Sequence, residues 1–296
     1  MALSPMAAPR IAAARAGELD LAFALLPHVA NQGVAAESVL VARQPGQGAI
    51  AGVAAFSSTP WESLRGGLRG AVFVLPSQRR RGVGGALLAA LGAAIRRWDV
   101  QYLHAWGEWD AGGAPPFLAR SGFEPQRTLR YFEADTRHSG AQCDQVLARL
   151  RAGGRIPEAA AVTTLAPRHL PQAIALYRRH ADLSHDEAAA RFDAALADPA
   201  CAALSQVLEL DGRLIGLLLW KRDAAVPEVD LWITQPGFRH GWPAMLLLEA
   251  ANRQLVRQAL PRYRFACNDA AGTTLQIARR VDATLLRTTQ THVLAL

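Results

Sequence analysis

Apolar residues in this chain follow two rhythms, alternation at every second residue and recurrence at every third or fourth, and the two are interleaved along its length. A short run near Arg10–Ala14 predicts a strand, and Glu18–Val29 then carries a helical pattern. Strands are predicted at Ser38–Ala42 and Ala49–Phe56, joined by the turn signal Gln44-Pro-Gly-Gln-Gly48. The β-prone run Val72-Phe-Val-Leu75 stops at Pro76. Leu87, Leu88, Leu91, Ile95 and Trp98 then repeat at helical spacing, predicting a helix from about Val83 to Trp98 with these residues on its buried face. A strand at Gln101–Trp106, a short helix at Pro116–Arg120 ended by Gly122, and a strand at Thr128–Glu133 complete a mixed α/β unit over 1–135. Residues 136–158 are polar and end in Gly153-Gly154 and Pro157, which predicts an interdomain linker holding one or two helical turns.

The pattern then starts again. Val207–Trp220 reads as a hairpin like Val39–Phe56, with Gly216 standing where Gly52 stands. Val229–Thr234, Pro236 and Arg239 echo Val72–Leu75, Pro76 and Arg79 about 160 residues further on (236 against 76). Trp242–Val256 repeats the long helix, Tyr263–Cys267 the next strand and Thr284–Leu294 the final one. One domain pattern is written twice, the second time over 159–296.

Composition agrees with two folded domains. The chain has 296 residues, 51% hydrophobic and 19% charged, and no apolar run long enough to span a membrane. Its N-terminus lacks the charged segment followed by an apolar one that a signal peptide requires. Cys143, Cys201 and Cys267 lie far apart, so neither a disulfide framework nor a zinc knuckle is expected, and the protein is expected to be cytoplasmic. The net charge of +7 raises the question of nucleic acid. However, Lys221 is the only lysine, the arginines are scattered among alanines, and 79–81 is the only basic triplet. Nucleic acid is therefore not the expected partner, and lysine-based covalent catalysis is excluded nearly everywhere.

The chemistry concentrates between the strand at 72–75 and the helix that follows. Gly82 and Gly84 permit positive φ and close backbone approach, the helix start offers unpaired N–H groups, and Arg79, Arg80 and Arg81 add positive charge. Such a turn suits phosphate. It is not a dinucleotide fingerprint, because Leu87 stands where a third glycine is needed, and it lacks the Gly-Lys-Ser/Thr of a Walker loop. His180-Ala-Asp182-Leu-Ser184-His185-Asp186-Glu187 gathers metal-capable side chains, but Ser184 and Glu187 read as a capping box opening a helix at Asp186–Leu196, and no metal is expected. No His-Glu-x-x-His or Gly-x-Ser-x-Gly is present.

The run Val74-x-Pro76-x-x-Arg79-x-x-Gly82-x-Gly84-x-x-Leu87-Leu88 resembles the coenzyme A pyrophosphate loop of the GCN5-related N-acetyltransferases, the GNAT superfamily. Phe117-Leu118-Ala-Arg120-Ser-Gly122-Phe123 is similar to that superfamily's second signature, usually Phe-Tyr-Glu-Lys-x-Gly-Phe. The spacing from His104 to Leu129 is loosely similar to the repeated domains of mycothiol-synthase-like tandem acetyltransferases. The resemblance implies a mixed α/β sheet and two tandem GNAT-like acyl-CoA N-acyltransferase domains, 1–135 and 159–296. It implies acetyl-CoA as cosubstrate and no metal. The implied contacts are Phe73, Val74 and Leu75 on the strand and Arg79, Arg80, Arg81, Gly82, Val83, Gly84 and Gly85 in the loop. The backbone amide near Val74 would polarise the thioester carbonyl, and a small-molecule or peptide amine would attack directly in a ternary complex. Membrane partners are not implied, and a homodimer is left open.

Two departures from the family pattern matter. Leu118 stands where the family's tyrosine often protonates the leaving thiolate, with Tyr102 and Tyr131 as weak substitutes, and Leu68–Leu75 contains no acid. In His104-Ala-Trp106-Gly-Glu108-Trp109-Asp110 the tryptophans and acids either line an acceptor pocket, Glu108 serving as the catalytic group, or Trp106 is core and the acids are ordinary loop residues. The second copy, Pro236-Gly-Phe-Arg239-His-Gly241-Trp-Pro243, has lost one residue before its glycine and carries Pro243 where the second glycine belongs. It is expected not to bind coenzyme A productively, with Trp242 blocking its cleft, although Asn268 is retained after its penultimate strand. An acyl-CoA sensor without turnover and a polyanion-binding protein are the rival readings.

Overall fold

The chain divides into two units, Met1–Gln126 with Gln290–Leu296, and Arg127–Thr289. The computed structural model describes residues 8–30, 34–46, 48–57, 67–181, 184–221, 226–238, 241–269 and 272–296.

The first unit is built on strands β1 (Arg10–Ala13), β2 (Val39–Arg43), β3 (Ile50–Phe56), β4 (Gly67–Val74) and β5 (Tyr102–Ala105). They lie side by side in that order, antiparallel except for the parallel pair β4–β5. A two-residue strand, β6 (Trp109–Asp110), follows β5. The helices are α1 (Leu19–Leu25) and α2 (Pro27–Ala30), separated where Pro27 interrupts the helical pattern, then α3 (Val83–Ile95) and α4 (Pro116–Arg120). The β2–β3 turn closes through the Gln44 N–H donating to the Ala49 carbonyl at 2.8 Å, with Gly46 at φ 79°.

Helices cover both faces of this sheet, so its central strand β3 is apolar along its whole length rather than alternating. Ala22, Leu26 and Val29 pack on one face with Val39, Val41 and Val53. Val83, Leu87, Leu91 and Ile95 of α3 pack on the other with Ala42, Ala54 and Leu68. The predicted helix runs to Trp98, but its α-helical part stops at Ile95, and Trp98 ends a 3-10 turn 42% exposed, beneath the Arg97 guanidinium.

Two sequence expectations change here. The strand predicted at Thr128–Glu133 is β7 (Glu124–Asp135), which pairs antiparallel with β12 (Arg262–Asn268) of the second unit, Asp135 facing Arg262 and Leu129 facing Asn268. The place beside β5 is taken instead by residues 293–295, Val293 opposite His104 and Ala295 opposite Tyr102. Periodicity identified both strands but carries no information about their partners. The first unit's continuous part therefore ends at 126 rather than 135. The expected linker, 136–158, holds a 17-residue helix, α5 (Thr136–Ala152), capped by Asp135, whose carboxylate accepts the His138 N–H at 2.8 Å. Its buried stripe includes Ser139, Cys143 and Leu147, and the polar member is satisfied: Ser139 Oγ lies 2.7 Å from Tyr263 Oη and accepts from Asn252 Nδ2 at 3.0 Å. A stripe this narrow and partly polar reads as surface in the sequence.

The rest of the second unit comprises β8 (Ala160–Thr164), α6 (Leu170–Arg178), α7 (His185–Ala197), α8 (Pro199–Leu204), β9 (Gln206–Leu210), β10 (Arg213–Lys221), β11 (Glu228–Thr234), α9 (Trp242–Arg257), α10 (Gly272–Arg280) and β13 (Thr284–Ala295). The duplication holds at the level of register. Gly52 faces Val74 and Gly216 faces Thr234; the Leu75 N–H donates to the Ala51 carbonyl at 3.0 Å, as the Gln235 N–H does to Ile215 at 2.8 Å. Leu87 and Leu247 cover the two glycines. A Cβ on Gly52 would lie 2.6 Å from the Phe73 carbonyl oxygen, whereas one on Gly216 meets its nearest atom, Leu247 Cδ1, at 3.1 Å. Gly52→Ala is therefore expected to cost about 1–3 kcal/mol and Gly216→Ala clearly less, a contrast that urea midpoints of the two variants will resolve.

Candidate active site

β3 and β4 stay paired from Phe56–Gly70 to Gly52–Val74, whereas β4 and β5 pair only from Gly67–Tyr102 to Gly70–Ala105. One further link, the Trp106 N–H donating to the Gly70 carbonyl at 2.8 Å, closes the base of the gap. Above it β4 has β3 on one side and open space on the other. The orientation of its backbone groups follows from the ladder. Leu75 donates to Ala51, and the Ser57 N–H donates to the Arg69 carbonyl at 2.9 Å, so the odd-numbered residues of β4 turn their backbone groups toward β3. Val72 and Val74 therefore turn their amides into the gap. The Val74 carbonyl is engaged by Arg79 Nε at 3.2 Å, which folds the arginine back over the strand end.

This gap is the core of a cleft of about 710 Å³ lined wholly by the first unit. It opens on both faces of the sheet. Val72, Val74, Leu88 and Leu91 belong to the α3 face, while Ala71, Phe73 and Trp106 belong to the α1 face with His28 among the lining residues. At its mouth a 3-10 turn, Pro76–Gln78, leads into the loop, where Arg80 has φ 60° and Gly82 φ 78°. Gly82 is the N-cap of α3 in a left-handed conformation that proline cannot adopt. The first intrahelical bond is Ala86 N–H to the Gly82 carbonyl, leaving the amides of Val83, Gly84 and Gly85 at the positive end of the helix. Gly84 packs on Phe117, whose ring would lie 3.1 Å from an added Cβ.

Seven of the ten expected contact residues line the cleft: Phe73, Val74, Arg79, Arg80, Gly82, Gly84 and Gly85. The other three do not. Leu75 spends its amide on Ala51, Arg81 points to solvent, and the Val83 side chain is a buried peg in the core beneath α3. Glu108, the expected catalytic residue, is exposed in the loop after β5 and lines no part of the cleft, and Asp110 is likewise exposed. Their tryptophan neighbours do line it, Trp106 on the α1 face and Trp109 edge-on to His292 at 5.4 Å. Tyr102 and Tyr131 are not substitutes for the missing acid. Tyr102 is outside the cleft, and Tyr131 belongs to the second unit, beneath the Arg287 guanidinium. Leu118 lines the cleft where the family's tyrosine is expected.

Sequence reasoning missed His28 and did not weigh Arg120, both of which line the cleft. His28 has no motif around it; the only local signal is Pro27, which breaks the helix and turns α2 toward the sheet. Partial desolvation holds its imidazole below the ordinary histidine value.

Among the described residues no group of three or more His, Cys, Asp or Glu is placed to hold a metal ion. The 180–187 stretch forms the capping box of α7, with Glu187 N–H donating to Ser184 Oγ at 3.1 Å and Ser184 N–H to Glu187 Oε2 at 2.8 Å; Asp182 lies outside the described residues. In the second unit Arg239 and His240 also lie outside them. Around them, Trp242 packs edge-on to Phe238 at 6.0 Å and Pro243 occupies the first turn of α9. Trp232, the counterpart of Val72, packs edge-on to Phe265 at 6.5 Å.

A parallel strand pair parted above one closing bond, with a glycine–arginine helix start at its mouth, is the arrangement that the first unit presents. Residues 19–125, which lie within the first unit, match the acetyltransferase (GNAT) domain family. A 58-residue stretch is 45% identical to the mycothiol acetyltransferase of Catenulispora acidiphila, covering 20% of this chain and 18% of that protein. The fold over most of the chain is that of solved GNAT proteins. A GCN5-related N-acetyltransferase from Sphaerobacter thermophilus superposes with TM-score 0.59 at 12% identity, covering 97% of this chain and 95% of that one. A tandem GNAT protein from the clavulanic acid biosynthesis pathway superposes with TM-score 0.51 at 15% identity, covering 87% and 82%.

The loop geometry separates adjacent arginines. With inorganic pyrophosphate as probe, Arg80→Ala is expected to weaken binding roughly tenfold, as loss of a charge-assisted contact should, and Arg81→Ala to change it less than twofold, both read by calorimetry.

Proposed function

We propose that the first unit transfers an acetyl group from acetyl-CoA to the primary amine of a small molecule or peptide, by direct attack in a ternary complex. The observation that carries this reading is the placement of two kinds of backbone donor along one continuous segment. The Val74 amide faces the gap, where a thioester carbonyl would lie, and a few residues on the 82–85 helix start offers its amides to a pyrophosphate. The distance from carbonyl to diphosphate in acyl-CoA would be bridged by the pantetheine arm running along β4, against the apolar side chains of Val72 and Leu88.

Coenzyme A would enter on the α3 face and the acceptor on the α1 face, meeting through the parted sheet. The amine nitrogen attacks the thioester carbon, the carbonyl pair moves to oxygen beside the Val74 amide, and collapse expels the thiolate. Direct attack is favoured because the described lining residues include no Cys, Ser, Thr, Lys or carboxylate that could carry an acyl group. With Leu118 on α4, the thiolate receives no proton from that helix. Positioning and the preorganised amide would supply most of the acceleration.

The acyl-CoA sensor remains the second reading, and Leu118 is the observation that favours it. Thiol release from acetyl-CoA over a panel of amines separates the two. Turnover that disappears in Gly82→Pro, together with coenzyme A affinity lowered by about 100-fold or more, is the expected result. Tight binding of acetyl-CoA without thiol release for every amine would establish the sensor. Leu118→Tyr places a hydroxyl in the cleft and is expected to raise kcat by about tenfold while leaving coenzyme A affinity within twofold.

A further inference from the structure

Building on the acyl-transfer reading above, we infer that His28 is the catalytic base, taking the proton from the attacking amine on the α1 face of the cleft. Among the described residues that line the cleft, every other side chain is apolar, absent (glycine) or an arginine, and none of these accepts a proton at physiological pH. Trp106 and Trp109 carry only an N–H donor. Among the described lining residues, the imidazole of His28 is thus the single proton acceptor on the side proposed for the acceptor amine.

Its position is fixed from the closed end of the gap. Trp106 holds the base of the cleft through its backbone N–H to Gly70, and its indole meets the His28 ring edge-on, with centroids 6.4 Å apart and planes at 71°. One residue therefore both closes the β4–β5 gap and sets its indole beside the exposed imidazole. Phe73 and Ala71 complete this apolar side of the cleft. The charged and titratable groups on the surrounding elements are Asp20 on α1, Arg69 on β4, buried His104 on β5, and Glu108 and Asp110 in the loop beyond it; Glu18 is committed to Arg43. Of these none lines the cleft, where the nearest like-charged company is Arg79, Arg80 and Arg120. Partial desolvation favours the neutral, proton-accepting ring.

The step balances without further reagents. The C–N bond forms, the ammonium proton passes to an imidazole nitrogen, and the C–S bond breaks as the carbonyl reforms. The imidazolium then gives its proton to solvent, and the thiolate takes one from it.

The test uses the full chain with acetyl-CoA and an aromatic amine, which is already neutral in mildly acid solution, so the pH profile reports on the enzyme rather than on the acceptor. Glycinamide serves as a second acceptor. In the wild type, kcat/KM should rise with pH as the imidazole loses its proton, below its ordinary value of 6.5, and then level off. His28→Gln should remove that limb and lower kcat by about 100-fold or more, with the KM for acetyl-CoA unchanged. His28→Asn should behave the same way, and calorimetric coenzyme A binding by both variants shows that the cleft is intact. Turnover by His28→Gln within threefold of wild type, or retention of the acid limb, would overturn the assignment. Wild-type coenzyme A binding with no thiol release for either amine would instead sink acyl transfer itself, and the base with it.

Discussion

The hydrogen bond from the Trp106 amide to the Gly70 carbonyl decides where the sheet of the first unit stops being a sheet. Below it β4 and β5 are paired, and above it β4 keeps its partner on one side only. A buried strand with one unpaired edge carries amides that must find an acceptor or remain unsatisfied. Here the Val72 and Val74 amides on that edge face the cleft. The remaining features depend on this parting. The α3 start points its amides at the same opening, Phe117 and Leu118 of α4 wall one side, and Trp106 turns its indole to the other. A sheet closed at this level would leave the loop at 79–85 as a surface turn with nothing to lead a ligand away from it.

Much of this was legible because the relevant signals are local. Pro76, Gly82 and the spacing of Leu87, Leu91 and Ile95 specify strand end, left-handed cap and buried face within one short segment, and all appear where expected. Trp98 follows the same spacing yet lies outside the core, since the helix tightens into a 3-10 turn and the next position on the stripe rotates out. The 136–152 helix was hidden because its buried face contains Ser139 and Cys143, whose polarity is satisfied by Tyr263 and Asn252, residues more than a hundred positions away. Glu108 and His28 illustrate the same limit at the site. Glu108 sits beside two cleft-lining tryptophans in sequence, but the loop turns it outward, while His28 reaches the cleft from an element with no motif.

The duplicated half keeps the scaffold while its side chains differ. Register, the glycine under the long helix and the strand-end hydrogen bond are all retained in the second unit. What changed is the chemistry at the loop and the volume of two or three side chains. Trp232 stands for Val72 and packs on Phe265, Trp242 at the helix start packs on Phe238, and Pro243 removes one amide from the first turn. Val72 lines the cleft in one copy, whereas Trp232 and Trp242 pack against neighbouring rings in the other.

The strand Thr284–Ala295 supplies residues to both units, and the first unit's sheet includes residues 293–295 beside β5. During synthesis the ribosome delivers residues 1–126 well before that strand exists, so β5 must wait with an unsatisfied edge while about 160 further residues are made. Folding is then a long-range event for the half that carries the cleft, slow in the manner of high-contact-order proteins. Through that interval the nascent first half carries an open strand edge, the feature that folded sheets cover or blunt.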